Sequence, residues 1–170
     1  PEQLGAQVCA EGVRFAVFSQ RAERIELCLF NAGGDTELRR YTLHGPDAGV
    51  FHGLLPGAGP GLLYGYRAFG EYRPENGRRF NPNKLLLDPY AREIVGDFEW
   101  RAEHFGADSE HAGHMDMRDN AAFALKARVV DDHHDWNGDR HQHTPLDRSV
   151  LYEVHVKGFT MRHPGVPEAL

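Results

Sequence analysis

The sequence predicts a mainly β fold, an immunoglobulin-like antiparallel β-sandwich, on three observations. From Val13 to about Phe69 apolar and polar residues alternate in short runs, the period-two signature of strands with one buried face. Turn signals separate these runs at the spacing of a small sandwich. The chain also carries 19 Gly and 10 Pro, thirteen of them between Gly45 and Gly77, and such punctuation favours short strands over long helices. A chain of 170 residues can bury about 70% of its unfolded surface, enough for one core or a core with an appendage.

Val13, Phe15 and Val17 define the first strand, with Arg14 and Ala16 between them. Ile25, Leu27 and Leu29 repeat the pattern against Glu26 and Cys28, and Asn31-Ala32-Gly33-Gly34-Asp35 supplies a turn. Further strands are predicted at Leu38 to Leu43, Val50 to Leu55 and Leu62 to Phe69. Pro56-Gly57-Ala58-Gly59-Pro60-Gly61 reads as a hairpin connection rather than a sugar-binding loop, because its residues supply turn torsions and nothing more is needed. Leu62, Tyr64, Tyr66 and Ala68 share a face, so the tyrosines are expected to pack in the sheet rather than to form a stacking platform.

Alternation stops near Gly70, and Glu71 to Gly77 reads as a surface loop. Asn81-Pro82 and Asp88-Pro89 force the residues before proline out of the helical region and bracket Leu85-Leu86-Leu87, a triplet expected to wedge against a neighbour. Residues 97–148 read as an extended, irregular connector in which only Ala121 to Val130 is apolar enough to anchor. From Val150 to Val156 a nearly continuous apolar run predicts a strand covered on both faces.

The formal charge of −6, from 19 Lys plus Arg against 25 Asp plus Glu, opposes binding to a phosphate backbone, so nucleic acid is excluded as an expected partner. The longest apolar runs, such as Phe15 to Phe18, are too short to span a bilayer, and a soluble domain without membrane association is expected. Cys9 and Cys28 form no CxxC pair and read as two small thiols of a reducing cytoplasm; a bridge between them requires their strands to be neighbours. The opening Pro1-Glu2-Gln3 carries no leader signature, although a leader already removed would leave no trace.

Seven histidines, His104, His111, His114, His133, His134, His141 and His143, are interleaved with Asp108, Asp116, Asp119, Asp131, Asp132, Asp135 and Asp139. A metal site requires a few of these to converge, and no HExxH or Cys-His spacing is present. Counting back from Gly138, a calcium loop would begin at His133 and end at Thr144, where acids are required. The expectation is a solvated, pH-sensitive linker with no metal and no cofactor.

Two runs point to a family. Arg78-Arg79-Phe80-Asn81-Pro82-Asn83-Lys84-Leu85-Leu86-Leu87-Asp88-Pro89-Tyr90-Ala91-Arg92 and Val150-Leu151-Tyr152-Glu153-Val154-His155-Val156-Lys157-Gly158-Phe159-Thr160, in this order and separation, resemble the isoamylase-type glycogen debranching enzymes of the α-amylase superfamily. Gly12 to Ser19, Ile25 to Phe30 and Tyr64-Gly65-Tyr66-Arg67 are similar to strands of the N-terminal domain of that family, a sandwich classed with the glycogen-binding family 48 modules. The ending Lys157-Gly158-Phe159-Thr160 favours the debranching branch over branching and trehalose-forming relatives.

The resemblance implies a sandwich module over residues 1–96, the connector over 97–148, and over 149–170 the first strand and following loop, His163 to Glu168, of an incomplete (β/α)₈ barrel. It implies retaining hydrolysis of α-1,6 branches by two carboxylates roughly 5 Å apart on later barrel strands. Those strands are expected beyond Leu170, so no residue here is assigned as catalytic and the isolated chain is expected to be inactive. Glu153 is expected to be structural and His155 a hydrogen-bonded barrel-interior residue. The implied partner is α-glucan, with Tyr72, Trp100 and Trp136 as the candidate sugar contacts. Both tryptophans fall in the connector rather than in the sandwich, which departs from the pattern of starch-gripping modules. Residues 149–170 are expected to dock on the sandwich, to pair with another chain or to fray. The alternative is a stand-alone carbohydrate-binding or interaction module without catalysis.

Overall fold

The computed structural model describes residues 3–111, 113–131 and 135–167. His133, His134, Asp132 and Glu168, named above, lie outside the described residues, as do Pro1 and Glu2. The chain forms two compact units, Pro1–Asp132 and His133–Leu170.

The first unit contains two antiparallel sheets. One takes β1 (Gly5–Cys9), β2 (Gly12–Phe18), β6 (Val50–Pro56) and β5 (His44–Asp47) in that spatial order. The other runs β10 (Glu93–Val95), β11 (Lys126–Arg128), β7 (Leu63–Phe69), β3 (Arg24–Phe30), β4 (Glu37–Thr42). Val13, Phe15, Val17 and Phe51 from the first sheet meet Ile25, Leu27, Tyr64 and Tyr66 from the second in one core. Phe15 meets Tyr64 edge to face with centroids 5.0 Å apart, and Tyr64 meets Tyr66 likewise at 5.7 Å. The strands predicted around Val13, Ile25, Leu38, Val50 and Leu62 are present, and the tyrosines pack in the core as expected.

The second sheet is buried on its other face as well. Cys28, Phe30 and Leu63 there join Leu85 and Ala121 in a separate apolar cluster, so β3 and β7 are covered on both faces. Gly65 makes this closure feasible: a Cβ on it would stand 2.9 Å from Leu85, so its absence lets the leucine wedge onto the sheet. Leu86 bridges to Tyr66 through backbone hydrogen bonds of 2.8 and 2.7 Å. The apolar triplet therefore covers the sandwich itself.

Three expectations are corrected. Glu71 to Gly77 is not a plain loop: β8 (Tyr72–Arg73) and β9 (Arg78–Arg79) close a small hairpin over a 3₁₀ turn at Pro74–Asn76. The stretch read as irregular connector contains β11, which pairs with both β7 and β10 and buries Ala127 and Val129. Three residues are too few to display a period, so only the anchoring Ala121 to Val130 composition announced it. Third, the Val150 to Val156 run is not a strand. Within the second unit, Val150 is 94% exposed, and a five-residue helix α1 spans Val156–Thr160. Val150 to His155 take part in no ladder and no helix, and regular structure begins only at the end of the run, where Phe159 N–H donates to the His155 carbonyl at 2.8 Å. His155 is an exposed cap whose Nδ1 accepts the Gly158 N–H at 2.9 Å, not a barrel-interior residue. No strand follows Arg128 among the described residues.

Cys9 and Cys28 lie in different sheets and both are free, which removes the bridge. Burial pushes the Cys28 thiol up to about 12, whereas Cys9 is half-buried. A thiol reagent such as Ellman's is therefore expected to titrate one cysteine in the native protein and the second only after denaturation. Two fast thiols would contradict this packing of β3.

Candidate functional site

The polar residues of the family-like run from Arg79 to Ala91 act as a clamp rather than as reagents. Asn81 donates through Nδ2 to the carbonyls of Gly106 and Asp116 at 3.0 and 2.8 Å. The buried Lys84 ammonium donates to the Glu103 and Arg118 carbonyls at 2.8 and 2.6 Å and to the Asp116 carboxylate at 3.0 Å. Asp88 accepts the Tyr64 hydroxyl at 2.7 Å and caps Tyr90 N–H at 2.8 Å. Asn120 accepts Leu85 N–H at 2.6 Å. The bonds of Asn81, Lys84 and Asn120 fasten residues 101–120 to the sandwich and Asp88 ties the run to β7, all from buried positions where each polar atom needs a partner.

The clamp positions the segment Asp97-Phe98-Glu99-Trp100-Arg101. Alternation along it separates two kinds of surface. Phe98 and Trp100 meet edge to face at 5.1 Å, and Trp100 lies nearly parallel to Phe105 with centroids 6.5 Å apart. Trp100 is 79% exposed, and Phe98 and Phe105 are exposed as well, so the three rings form an aromatic platform open to solvent.

The charged members of the same segment line a neighbouring cleft of about 210 Å³. Asp97, Glu99 and Arg101 share it with Gly33, Gly34 and Phe123. Arg101 donates to Glu99 at 2.8 and 3.1 Å while its guanidinium lies 4.2 Å over the Phe123 ring. Lys126, also at the cleft, spends its ammonium on the Ala121 carbonyl at 2.6 Å and on the Ala124 carbonyl; burial lowers its pKa. Asn31 holds the opposing turn in shape, with Nδ2 donating to Asp35 at 2.7 Å and Oδ1 accepting Thr36 N–H at 3.2 Å. Two carboxylates thus stand in the cleft, with the Arg101 guanidinium held between Glu99 and the Phe123 ring. The cleft is smaller than the ~300–1,000 Å³ of drug-sized pockets and has room for a single sugar ring.

The three expected sugar contacts fall in different places. Trp100 forms the platform. Tyr72 is half-buried and its hydroxyl donates to the His114 carbonyl at 3.0 Å, fastening the clamp rather than lining the cleft. Trp136 belongs to the second unit, where it borders a separate hollow with Asp139, Arg140 and His141. Phe98, Phe105, Asp97, Glu99, Arg101 and Phe123 were not foreseen, although the five-residue alternation from Asp97 to Arg101 was there to be read. Among the described residues no group of three or more His, Cys, Asp or Glu converges in a way that could hold a metal ion.

Comparisons with known proteins place the sandwich in a family. The profile of carbohydrate-binding module 48, the isoamylase N-terminal domain, matches residues 3–91. The catalytic module of the glycogen-degrading pneumococcal virulence factor SpuA is similar at 20% identity and a TM-score of 0.53, over 77% of this chain and 16% of that one. GBS pullulanase SAP, solved in complex with maltotetraose, matches at 19% identity and a TM-score of 0.49, over 77% of this chain and 15% of that one. Paenibacillus barengoltzii pullulanase, in complex with maltohexaose and alpha-cyclodextrin, matches at 20% identity and a TM-score of 0.45, over 56% of this chain and 13% of that one. The chain thus spans less than a fifth of these proteins, and at 20% identity the SpuA likeness speaks for the fold alone.

Proposed function

Because the chain belongs to the carbohydrate-binding module 48 (isoamylase N-terminal domain) family, we propose that it binds α-glucan through the Trp100 platform and the adjoining cleft, as the front module of a debranching glycoside hydrolase. In this reading the enzyme cleaves α-1,6 branches of glycogen in the cytoplasm with carboxylates supplied outside these 170 residues. The module holds chain segments near that chemistry and performs none itself.

One observation carries the reading: Phe98, Trp100 and Phe105 stand open to water, and the residues that alternate with Phe98 and Trp100 in sequence, Asp97, Glu99 and Arg101, line a cleft. A sugar ring has an apolar face of C–H groups and an equator of hydroxyls. The first suits an indole, the second suits Asp97, Glu99 and Arg101.

Co-sedimentation with glycogen tests this. Trp100→Ala is expected to weaken binding about tenfold or more, the equivalent of roughly 1.4 kcal/mol per decade. Tyr72→Phe, which removes a tie and not a contact, is expected to leave the affinity within about twofold. Unchanged binding by the Trp100 variant would remove the platform from the proposal, and absence of binding by the parent protein would remove the module's sugar role altogether.

A further inference from the structure

A second groove of about 480 Å³ lies on the sandwich unit, between the turn at Arg21 and the hairpin of β8 and β9. Its lining carries Arg21, Arg78, Arg79, Lys84 and His104 and no acid, in a chain whose acids outnumber its Lys and Arg by six. Cations gathered from two separate stretches of an acidic chain, Arg21 and the run from Arg78 to Lys84, focus a positive potential that its average composition would not produce.

Counting donors shows which of these groups remain available. Lys84 has committed all three protons to the clamp, and Arg78 is engaged by Glu71. Arg21 and Arg79 are exposed, and neither has an ion pair or side-chain hydrogen bond among the described residues. His104 adds a third spare donor below the surface. Asn120 is oriented by accepting Leu85 N–H, so its Nδ2 donates to His104 Nδ1 at 3.4 Å and the neutral ring carries its proton on Nε2. That Nε2 is buried and has no partner among the described residues. Phe80, Leu86 and Ala68 supply an apolar wall beside these donors.

We propose that this groove binds a phosphoryl oxyanion carried on a compact organic body, a phosphate monoester of sugar size. Guanidiniums present paired N–H groups that match phosphate oxygens, and two of them in one concave site exceed what a solvated surface charge provides. The apolar wall takes the body of the ester, and the groove volume lies in the small-molecule range. The groove shares no lining residue with the glucan cleft, and although His104 stacks on Phe98 with centroids 5.2 Å apart, Arg21 and Arg79 belong to the groove alone, so substituting them tests it separately from glucan binding.

The test is calorimetric titration of the full chain, in low-salt phosphate-free buffer, with glucose 6-phosphate, inorganic phosphate and glucose. The ester is expected to bind with Kd of about 1 mM or tighter, and glucose to give no saturable heat at this groove. The double variant Arg21→Gln/Arg79→Gln is expected to lose at least about tenfold in affinity, Arg79→Lys to lose less, and raised salt to weaken binding of the parent protein. Glycogen co-sedimentation of the double variant should remain that of the parent. Inorganic phosphate binding as tightly as the ester, with the same arginine dependence, assigns the free ion as the ligand of this site. No saturable heat from either phosphate, glucose binding as tightly as its ester, or a double variant with parental affinity overturns the proposal.

Discussion

Replacing Arg67 by methionine is expected to destabilise the sandwich unit by about 3 kcal/mol. Arg67 lies on β7 with its side chain 1% exposed, yet it carries a full charge. It donates to Glu37 on β4 at 2.9 Å, to both oxygens of Asp119 at 2.9 and 2.8 Å, and to the Pro82 carbonyl at 2.9 Å. One side chain therefore joins an edge strand, the clamp and the segment that precedes β11. Truncating one member of a buried ion cluster leaves the others desolvated without a countercharge, which typically costs 3–5 kcal/mol. The lower end applies because Asp119 is 53% exposed and can recover water. A urea titration should show the midpoint falling without a change in slope. The cause can be isolated, since adding Glu37→Gln and Asp119→Asn to the methionine variant should restore much of the loss. If the triple variant is no more stable than the single one, charge burial is not the reason.

The second large effect concerns Asp116. Its carboxylate accepts Arg118 through the backbone N–H at 2.8 Å and through the guanidinium, and it accepts Lys84 at 3.0 Å. The Arg118 hydrogen bonds, with Lys84 behind them, hold its pKa well below the usual carboxylate range despite burial. A group depressed in the folded state contributes stability that is present above its unfolded pKa, near 4, and is lost as pH falls toward the folded value. Asp119 shifts the same way: burial raises it, but its hydrogen bonds with Arg67 outweigh that. Stability should therefore decline as pH drops below about 4. Asp116→Asn should cost about 2–4 kcal/mol at neutral pH by leaving Lys84 buried without its countercharge, and it should flatten the acid limb. Thermal melts from pH 7 down to pH 3 measure both. An asparagine variant with the parental acid slope would mean that Asp116 titrates as it does in the unfolded chain.

How much was legible follows from where each residue's partner lies. The strands at Val13, Ile25, Val50 and Leu62 were readable because each carries five to seven residues of alternation, a local signal that needs no knowledge of neighbours. β11 and β10 were not, because three residues carry no period and the partners of β11, β7 and β10, lie about sixty and thirty residues away in the chain. The run from Val150 to Val156 failed in the opposite direction: its apolar pattern is that of a covered strand, but extended structure is a property of a pair, and no partner accompanies it among the described residues. At the site, Trp100 could be singled out as an unusual residue, yet its role as platform depends on Phe105 and on the cleft beside it.

The amino-acid sequence by itself determined the sandwich, its strands from Val13 to Phe69 and the family-like run from Arg78 to Arg92, and it offered Trp100 as one of three candidate sugar contacts; it did not announce β1. Only the tertiary structure decided that Asn81, Lys84 and Asp88 are buried ties, that Arg67 holds three segments together, and that two arginines from separate stretches of the chain share one groove. The division has a physical origin. Periodicity and turn chemistry are set by neighbours along the chain, whereas burial of a charge, convergence of donors and exposure of a ring depend on distances between residues that only folding makes short.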